Sequence, residues 1–283
     1  MIKKGEKEEY SWNQLTQIED KYHDYEYPKV SIVIPTYQSE EKIAITIDSV
    51  LIQDYPDLEI IIVDAGSTDR TLEVIKNYRD DRITLYSVSE YHRYEMLNKG
   101  ISQSMGLYIN FLFPGDFYIH RETLRFMMSL ALDHDQPHMV YCGTLIRDGR
   151  KEAKILFRKL SLANLRKGLQ PTSLQSCWFR SDTFKKIGKF NRKYALRGGF
   201  DLMCRFCLDE TLRFADTNRV HTDYDLRLVT RRMVTSHCVE TLKTIYHYFG
   251  TLTTLKWLVT QKDTFRYLKL WLRNVKIAFL GRR

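Results

Sequence analysis

Two side chains suited to hold a ligand stand at the ends of successive apolar runs. The first run, Val30–Pro35, is followed by Thr36 and Tyr37, and the second, Glu59–Val63, is followed by Asp64. An aromatic ring can stack on a planar heterocycle, and a carboxylate accepts hydrogen bonds from hydroxyl groups. Ligands of open α/β sheets bind beyond the carboxyl ends of the strands. The pattern therefore predicts that Tyr37 and Asp64 share a crevice for a nucleotide base and its ribose.

The elements that must position these residues alternate between strands and helices. The predicted strands lie near residues 30–35, 59–63, 82–87, 107–112 and 138–146. The predicted helices lie near residues 40–53, 69–79, 93–104 and 121–133, and residues 169–209 are expected to form a loop, a strand and two helices. This alternation predicts βαβ units and a mainly parallel sheet. Runs of Val and Ile without polar alternation indicate strands covered by helices on both faces.

Five segments, in this order and at this spacing, resemble the family 2 glycosyltransferases. They are Ser31–Tyr37, Ser49–Gln53, Glu59–Thr71, Tyr94–Gly100 and Gly106–Asp116. The resemblance covers roughly residues 29 to 210 and is strongest to bacterial enzymes that build surface polysaccharide and O-antigen repeat units. It implies an α/β chain with the GT-A nucleotide-sugar-binding fold, which is a Rossmann-like, mainly parallel mixed sheet flanked by helices. A helical C-terminal tail is expected to follow.

The resemblance also implies an activity and a division of the chain. The implied activity is inverting transfer of one sugar from a UDP- or GDP-type donor to a saccharide acceptor, which is expected to be lipid-linked. Because the chain lacks the Gln-x-x-Arg-Trp element of processive synthases, a single transfer is favoured over polymerisation. The expected parts are an N-terminal extension (1–28), a GT-A domain (29–215) with its nucleotide-binding half (29–117) and acceptor half (118–215), and a basic tail (216–283).

The resemblance assigns the donor site to residues from the first two strand ends and from one helix. The set is Pro35, Thr36, Tyr37, Asp64, Glu95, Asn98 and Lys99. Three of them have a structural alternative: Tyr37 as a core tyrosine, Asp64 as a turn or cap residue, and Glu95 as a solvated helix carboxylate. Arg93 could contact a phosphate or simply lie at the surface. Asp69 is expected to cap or support its loop rather than to act on a ligand.

Asp116, within Phe113–Tyr118, is the candidate metal ligand. A departing nucleotide diphosphate needs its charge neutralised, and a divalent cation (Mn²⁺ or Mg²⁺) on carboxylate oxygens does this. Relatives present two or three acids here, whereas this chain keeps one, because Phe113 and Gly115 occupy the other positions. The alternative is a turn aspartate after Pro114-Gly115.

The expected general base is missing from its usual place. An inverting transferase needs a base to deprotonate the acceptor hydroxyl, and relatives place an acid where this chain has Gly199. Asp201, two residues on, is the nearest carboxylate and the stand-in candidate, with a helix N-terminal aspartate as the alternative. If no acid reaches the acceptor, the chain is a catalytically weak or inactive relative that only binds nucleotide sugars.

Charge is concentrated at the C-terminus. The chain of 283 residues carries a net charge of +9, and nine Lys or Arg against one acid between Thr241 and Arg283 supply +8 of it. A nucleic-acid binder would spread basic charge over its folded domain, so no nucleic-acid partner is expected. The odd number of cysteines, five, and the absence of a signal peptide or a long apolar run favour a reducing cytoplasm.

The tail is predicted to form an amphipathic helix that contacts the inner face of the cytoplasmic membrane. Its basic residues recur at helical spacing opposite an apolar face, which is typical of a helix lying in a membrane interface. The basic set is Arg266, Lys269, Arg273 and Lys276, and the apolar set is Leu268, Trp271, Leu272, Val275 and Phe279. The alternative is a helix packed on the protein's own core.

Overall fold

The structure, a computed structural model, describes residues 25–89, 91–147, 152–225 and 231–260. Its strands are β1 (Val30–Thr36), β2 (Leu58–Asp64), β3 (Ile83–Ser87), β4 (Tyr108–Phe111), β5 (Met139–Arg147), β6 (Lys154–Leu156), β7 (Cys177–Arg180) and β8 (Phe214–Asp225). Its helices are α1 (Ile43–Leu51), α2 (Thr71–Asn77), α3 (Arg93–Gln103), α4 (Thr123–Asp133), α5 (Leu162–Leu165), α6 (Thr183–Ile187), α7 (Gly198–Leu208) and α8 (Arg231–Thr260).

The first four strands form the parallel half of one mixed sheet. Their order is β3-β2-β1-β4, and each neighbouring pair is parallel. In the β1–β2 register, Thr36 pairs with Asp64, so the two strands end side by side. The predicted strands, the intervening helices and the mainly parallel sheet are therefore confirmed, and the first two strand tips meet as expected.

The second half of the sheet is mixed. Strand β7 runs antiparallel to β4 and to β5, whereas β8 runs parallel to β5. Strand β8 crosses the predicted boundary at residue 215, because its later residues continue the pairing with β5 as far as Asp225. The sheet thus extends into the segment expected to be helical tail, and the helical part of that segment begins at Arg231. The division into three parts otherwise remains a prediction.

Apolar layers cover the sheet on both faces. In β1, Ile32 and Ile34 pack with α1 and α4, while Val33 packs with α3 and α7 on the opposite face. The α3 helix lies so close to β1 that a Cβ built on Gly100 would stand 2.2 Å from Cγ1 of Val33. Burial on both faces explains why these strands are apolar throughout.

Helix α8 packs against the protein along part of its length. Ile245 is fully buried, and the indole Nε1 of Trp257 donates a hydrogen bond to the backbone oxygen of Lys167 at 3.1 Å. The helix changes direction at Gly250, whose φ of 76° lies in the left-handed region. In the described chain no helix combines the length and apolar character needed to cross a bilayer. The residues of the predicted membrane-contacting face, 266–279, lie outside the described residues.

Candidate functional site

One cleft of about 830 Å³ opens at the carboxyl ends of the central strands. Its N-terminal wall is formed by residues 35, 37–42, 69, 91, 93, 94, 96 and 113–116. Its C-terminal wall is formed by residues 168–170, 172–175, 196, 197 and 199, together with Leu156, Arg158, Tyr224, Met233 and His237. The cleft therefore joins the two halves of the sheet, at the edge where ligands of such folds bind.

The loops that follow β1 and β2 are held together by side-chain hydrogen bonds. The amide oxygen of Gln38 accepts from the backbone N–H groups of Thr68 (2.8 Å) and Asp69 (3.2 Å). The Asp69 carboxylate accepts from the N–H groups of Thr71 (3.0 Å) and Glu40 (3.2 Å). Asp69 thus supports the loop, as the sequence indicated, and this bonding gives the N-terminal wall a defined shape.

An aromatic pair stands at the rim of the N-terminal wall. The rings of Tyr37 and Tyr91 lie 5.2 Å apart between centroids, inclined at 37°. Tyr37 is 41% exposed and is not a core tyrosine. Pro35 also lines the cleft. The open faces of these rings are placed to stack on a planar base; Tyr91, in the loop before α3, was not singled out from the sequence.

Asp64 and Thr36 lie beneath this rim rather than in it. The Asp64 carboxylate is 1% exposed and accepts hydrogen bonds from Gly66 N (2.9 Å), Ser67 N (2.8 Å) and Ser67 Oγ (2.5 Å). It therefore orders its own turn, which is the alternative considered for it. The neighbouring Thr36 hydroxyl is buried and has no hydrogen-bond partner among the residues the structure describes.

Helix α3 presents to the cleft a different set of residues from the predicted one. Arg93, Tyr94 and Met96 line the cleft. Glu95 instead pairs with Arg192 at 2.6 Å. The Asn98 side chain exchanges two hydrogen bonds with the backbone of Phe190 (2.8 and 2.9 Å), and the Lys99 ammonium lies 5.5 Å from the centroid of the Tyr86 ring. Glu95, Asn98 and Lys99 are thus engaged outside the cleft lining.

Arg93 reaches the cleft because it is the first residue of its helix. Its guanidinium carbon lies 4.9 Å from the centroid of the Phe113 ring, in the turn after β4. This contact places a positive charge in the N-terminal wall beside the turn that carries Asp116. Of the two alternatives for Arg93, a position facing a ligand phosphate is the one that this placement supports.

Asp116 lines the cleft and is 5% exposed. Its Oδ2 accepts hydrogen bonds from the Gln175 side chain (2.6 Å) and from the Phe113 backbone N–H (3.3 Å). Burial raises the pKa of this carboxyl from 3.8 to about 7, against the lowering effect of the Gln175 bond. A second acid, Asp223, lies near enough to add to this rise, and it is held bidentately by Arg147 at 2.5 Å.

The fit of a divalent cation at Asp116 depends on the donor set. Within the described ranges, no cluster of three or more His, Cys, Asp or Glu side chains has the geometry of a metal site. However, both hydrogen bonds of Asp116 fall on Oδ2. Mg²⁺ is commonly held by one or two carboxylates together with substrate phosphates. Asp116 alone therefore fits a cation that arrives with a diphosphate, and does not fit a resident metal centre.

Asp201 does not lie in the cleft, and the predicted role as base is not supported by its placement. The carboxylate is 1% exposed; Oδ2 accepts from Arg205 (3.1 and 2.8 Å) and Oδ1 from the Tyr248 hydroxyl (2.8 Å). The reason is the rotation of α7, which turns Asp201 toward α8 while Gly199 lines the cleft. Asp201 therefore joins two helices.

The turn before α7 contributes residues that sequence reasoning missed. The Glu240 carboxylate, on α8, accepts from three successive backbone N–H groups, those of Ala195 (2.9 Å), Leu196 (3.0 Å) and Arg197 (2.8 Å). Arg197 and His237 line the C-terminal wall. No local pattern could reveal this, because the carboxylate stands more than 40 residues from the turn that it holds.

The fold and the site together define a class. A mainly parallel mixed sheet flanked by helices, with a cleft at the carboxyl ends of its strands, is the architecture of GT-A glycosyltransferases. The sequence profile described as Glycosyl transferase family 2 matches residues 31–212. The chain belongs to glycosyl transferase family 2.

Curated relatives and solved structures agree with this assignment. A PGL/p-HBAD biosynthesis glycosyltransferase of Mycobacterium bovis is 25% identical over 183 residues, which are 63% of this chain and 69% of that protein. The structure of S. aureus TarS 1-349 in complex with UDP shares 19% identity and superposes with a TM-score of 0.62, over 83% of this chain and 66% of that one. The mannosyltransferase PcManGT of Pyrobaculum calidifontis, in complex with GDP-Man and Mn²⁺, shares 16% identity and has a TM-score of 0.56, over 92% and 86%.

Proposed function

We propose that this protein transfers one sugar from a UDP- or GDP-type nucleotide diphosphate sugar to a saccharide acceptor. The observation that carries the proposal is a single cleft that joins the Tyr37–Tyr91 rim, the Asp116 carboxylate and the open space beside Gly199. Solved structures with the same fold hold UDP, UDP-GlcNAc or GDP-Man. These neighbours support the class of donor, and the two walls support a donor side and an acceptor side.

The finer parts of the proposal follow the family resemblance. They are inversion at the anomeric carbon, a single rather than a repeated transfer, and a lipid-linked acceptor used in cell-surface polysaccharide or O-antigen synthesis. The lack of a Gln-x-x-Arg-Trp element supports the single transfer. The division into a nucleotide-binding half and an acceptor half is supported by the two-walled cleft.

The residues of the N-terminal wall have separate tasks in this proposal. Tyr37 and Tyr91 stack on the base, and the Thr36–Asp64 pair below them sets the position of the rim. Arg93 faces the diphosphate. Asp116, oriented by Gln175, would hold a divalent cation (Mn²⁺ or Mg²⁺), which when bound supplies charge neutralisation to the diphosphate.

A proton acceptor has to come from the C-terminal wall or from the substrate. The acidic side chains among the described lining residues are Glu40, Glu41, Asp69 and Asp116, and all four belong to the N-terminal wall. On the opposite wall, partial burial and the charge of Arg197 lower the pKa of His237 to about 4, so its imidazole is neutral at pH 7 but only weakly basic. His237 therefore replaces Asp201 as the candidate base because of its place in the cleft, not because of its basicity.

The second candidate function is a nucleotide-sugar-binding module without turnover. Gly199 at the position of the expected acid favours it, as does the engagement of Asp201 between two helices. A screen of UDP-GlcNAc, GDP-Man and other nucleotide sugars, with calorimetry for binding and nucleotide release for turnover, separates the two. Binding without release in the presence of verified acceptors selects the module; no binding of any donor refutes both.

Tyr37→Ala tests the rim directly. We expect this variant to weaken UDP binding about tenfold, because base stacking on an aromatic ring contributes on the order of 1–3 kcal/mol. The matched control is Tyr246→Ala, since Tyr246 is 58% exposed and lies outside the cleft lining. Equal UDP affinity in both variants would remove Tyr37 from the donor site.

We also propose peripheral contact of the tail with the cytoplasmic face of the membrane. The support is the basic face formed by Arg266, Lys269, Arg273 and Lys276 in the sequence. Flotation of the full chain with anionic liposomes tests this against a full-length variant in which these four residues are Gln. Flotation of both proteins to the same extent contradicts the proposal.

A further inference from the structure

Arg197 is a buried cation without a counter-charge in contact. It is 5% exposed, and its described hydrogen-bond acceptors are the side-chain oxygen of Gln170 and the backbone oxygen of Gly168, both neutral. Within the described chain, no carboxylate lies within 4.0 Å of its guanidinium, and its Nε has no hydrogen-bond partner. A buried charge of this kind is costly unless something compensates it.

The surroundings hold Arg197 in place and compensate its charge only in part: burial lowers its pKa to about 10, although the charge of Glu240 acts in the opposite direction. Its guanidinium carbon lies 4.1 Å from the centroid of the Phe200 ring. Glu240 is the nearest acid on α8, but its two oxygens accept from the three backbone N–H groups of residues 195–197. The backbone of the turn is therefore fixed by a carboxylate, whereas the guanidinium side chain lines the cleft.

The C-terminal wall is positively charged where Arg197 lies. Arg158 also lines this wall, and its Nη1 donates to the backbone oxygen of Gln170 at 3.1 Å. Both arginines therefore contact Gln170, by its side chain and by its backbone respectively. Among the described residues that line the cleft, every Asp and Glu belongs to the opposite wall. A ligand group that enters this part of the cleft meets two guanidinium groups and no carboxylate.

Space for such a group exists beside Gly199. A Cβ built there would have only Gln170 Nε2 at 3.8 Å and Leu174 Cδ1 at 4.0 Å as near neighbours. The chain thus has room for a ligand group beside Gln170, whose side-chain oxygen accepts a hydrogen bond from Arg197.

We propose that this region is an oxyanion subsite for the acceptor, so that the acceptor of the proposed transfer carries a carboxylate or a phosphate group bound by Arg197. The inference rests on the proposed function, because it deepens the acceptor side of the same cleft. A planar guanidinium matches both groups through paired N–H donors. A uronic acid and a sugar phosphate are the two sources of this chemistry.

The test compares three probes on the full-length protein saturated with UDP: glucuronate, glucose 1-phosphate and methyl glucoside. Binding is followed by NMR titration, and UDP affinity is measured separately by calorimetry. We expect at least one anionic probe to bind tenfold or more tightly than methyl glucoside. The preferred probe then identifies the source, a carboxylate or a phosphate. Equal affinity for all three probes overturns the proposal.

Two variants at one position test the role of Arg197 without removing it. Gly199→Asp places a carboxylate beside Gln170, the side chain that bonds Arg197, and Gly199→Asn is its neutral match in size. We expect the Asp variant to lose the preference for the anionic probe and the Asn variant to keep it within about threefold. Loss in both variants, or retention in both, contradicts the electrostatic argument.

Arg197→Gln, provided that the variant folds, tests directly whether the guanidinium binds the anionic probe. It should bind the anionic probe as weakly as methyl glucoside while UDP affinity stays unchanged. A parallel loss of UDP affinity would assign Arg197 to the donor diphosphate and overturn the proposal. Failure of the wild-type protein to bind any nucleotide is a different result, since it refutes the proposed function itself.

Discussion

Asp201→Asn separates the catalytic role predicted from sequence from the structural role seen in the fold. The native carboxylate is 1% exposed and accepts two hydrogen bonds from Arg205 and one from Tyr248. The substitution removes the charge but keeps the size and one acceptor oxygen. We therefore expect lower stability with little change in nucleotide release, because neither partner of Asp201 touches the cleft lining.

The magnitude follows from the partners that remain. Breaking a buried ion pair costs roughly 3–5 kcal/mol. Arg205 is 20% exposed and keeps the backbone oxygens of Ile187, Gly188 and Lys189 as acceptors. Its charge is thus partly solvated after the substitution, and we expect a loss of about 2–3 kcal/mol in the free energy of unfolding.

The assay is equilibrium unfolding in urea, followed by tryptophan fluorescence, together with nucleotide release from the preferred donor. The control is Tyr248→Phe, which removes one hydrogen bond to the same carboxylate and is expected to cost about 1–2 kcal/mol. A general base contributes roughly 10²–10⁴-fold to a rate. Wild-type stability of Asp201→Asn with a hundredfold or greater fall in release would refute the structural reading.

Three further substitutions, one of them with a matched glycine control, test other parts of the fold. Asp116→Asn should stabilise the ligand-free protein at pH 8 by up to about 4 kcal/mol and leave it unchanged near pH 4. The reason is that burial raises the pKa of the Asp116 carboxyl from 3.8 to about 7, so the stability that the protonated carboxyl contributes is lost as pH rises through 7. Identical thermal-unfolding profiles of the two proteins against pH would contradict this. Gly100→Ala should lower the free energy of unfolding in urea by about 1–3 kcal/mol, because its Cβ would stand 2.2 Å from Val33. Its control, Gly199→Ala, should leave that free energy nearly unchanged, because the new Cβ has no neighbour nearer than 3.8 Å. Glu240→Gln should lower the free energy of unfolding by about 1–3 kcal/mol, since three backbone N–H groups lose a charged acceptor. Wild-type stability of this variant would show that the turn before α7 does not depend on the Glu240 carboxylate.

The strand ends show what local sequence could predict. Alternating apolar runs and helical segments placed β1 and β2 correctly, and parallel pairing then brought Thr36 opposite Asp64. Asp116 was singled out because the segment Gly106–Asp116 resembles the family's motif, and the structure places it in the cleft. These features depend on strand length, strand direction and turns of a few residues, which nearby residues control.

Helix α3 shows what a sequence pattern could not predict. The spacing of Glu95, Asn98 and Lys99 correctly indicated one helix, but not the partners that their side chains would find. The partners of Glu95 and Asn98, which are Arg192 and the backbone of Phe190, come from a turn about 90 residues later, whereas Lys99 lies beside Tyr86. Helical periodicity states which residues share a face, and long-range packing decides what that face meets.

The family, the order of strands and helices and the adjacency of the first two strand tips were thus determined by the sequence itself, because each follows from local propensity or from a contiguous motif. Only the tertiary structure decided that Asp201 joins α7 to α8 and that Glu240 fixes the turn before Arg197. The physical reason is that the rotation of a helix about its axis is set by the side chains it packs against, and these are distant in sequence.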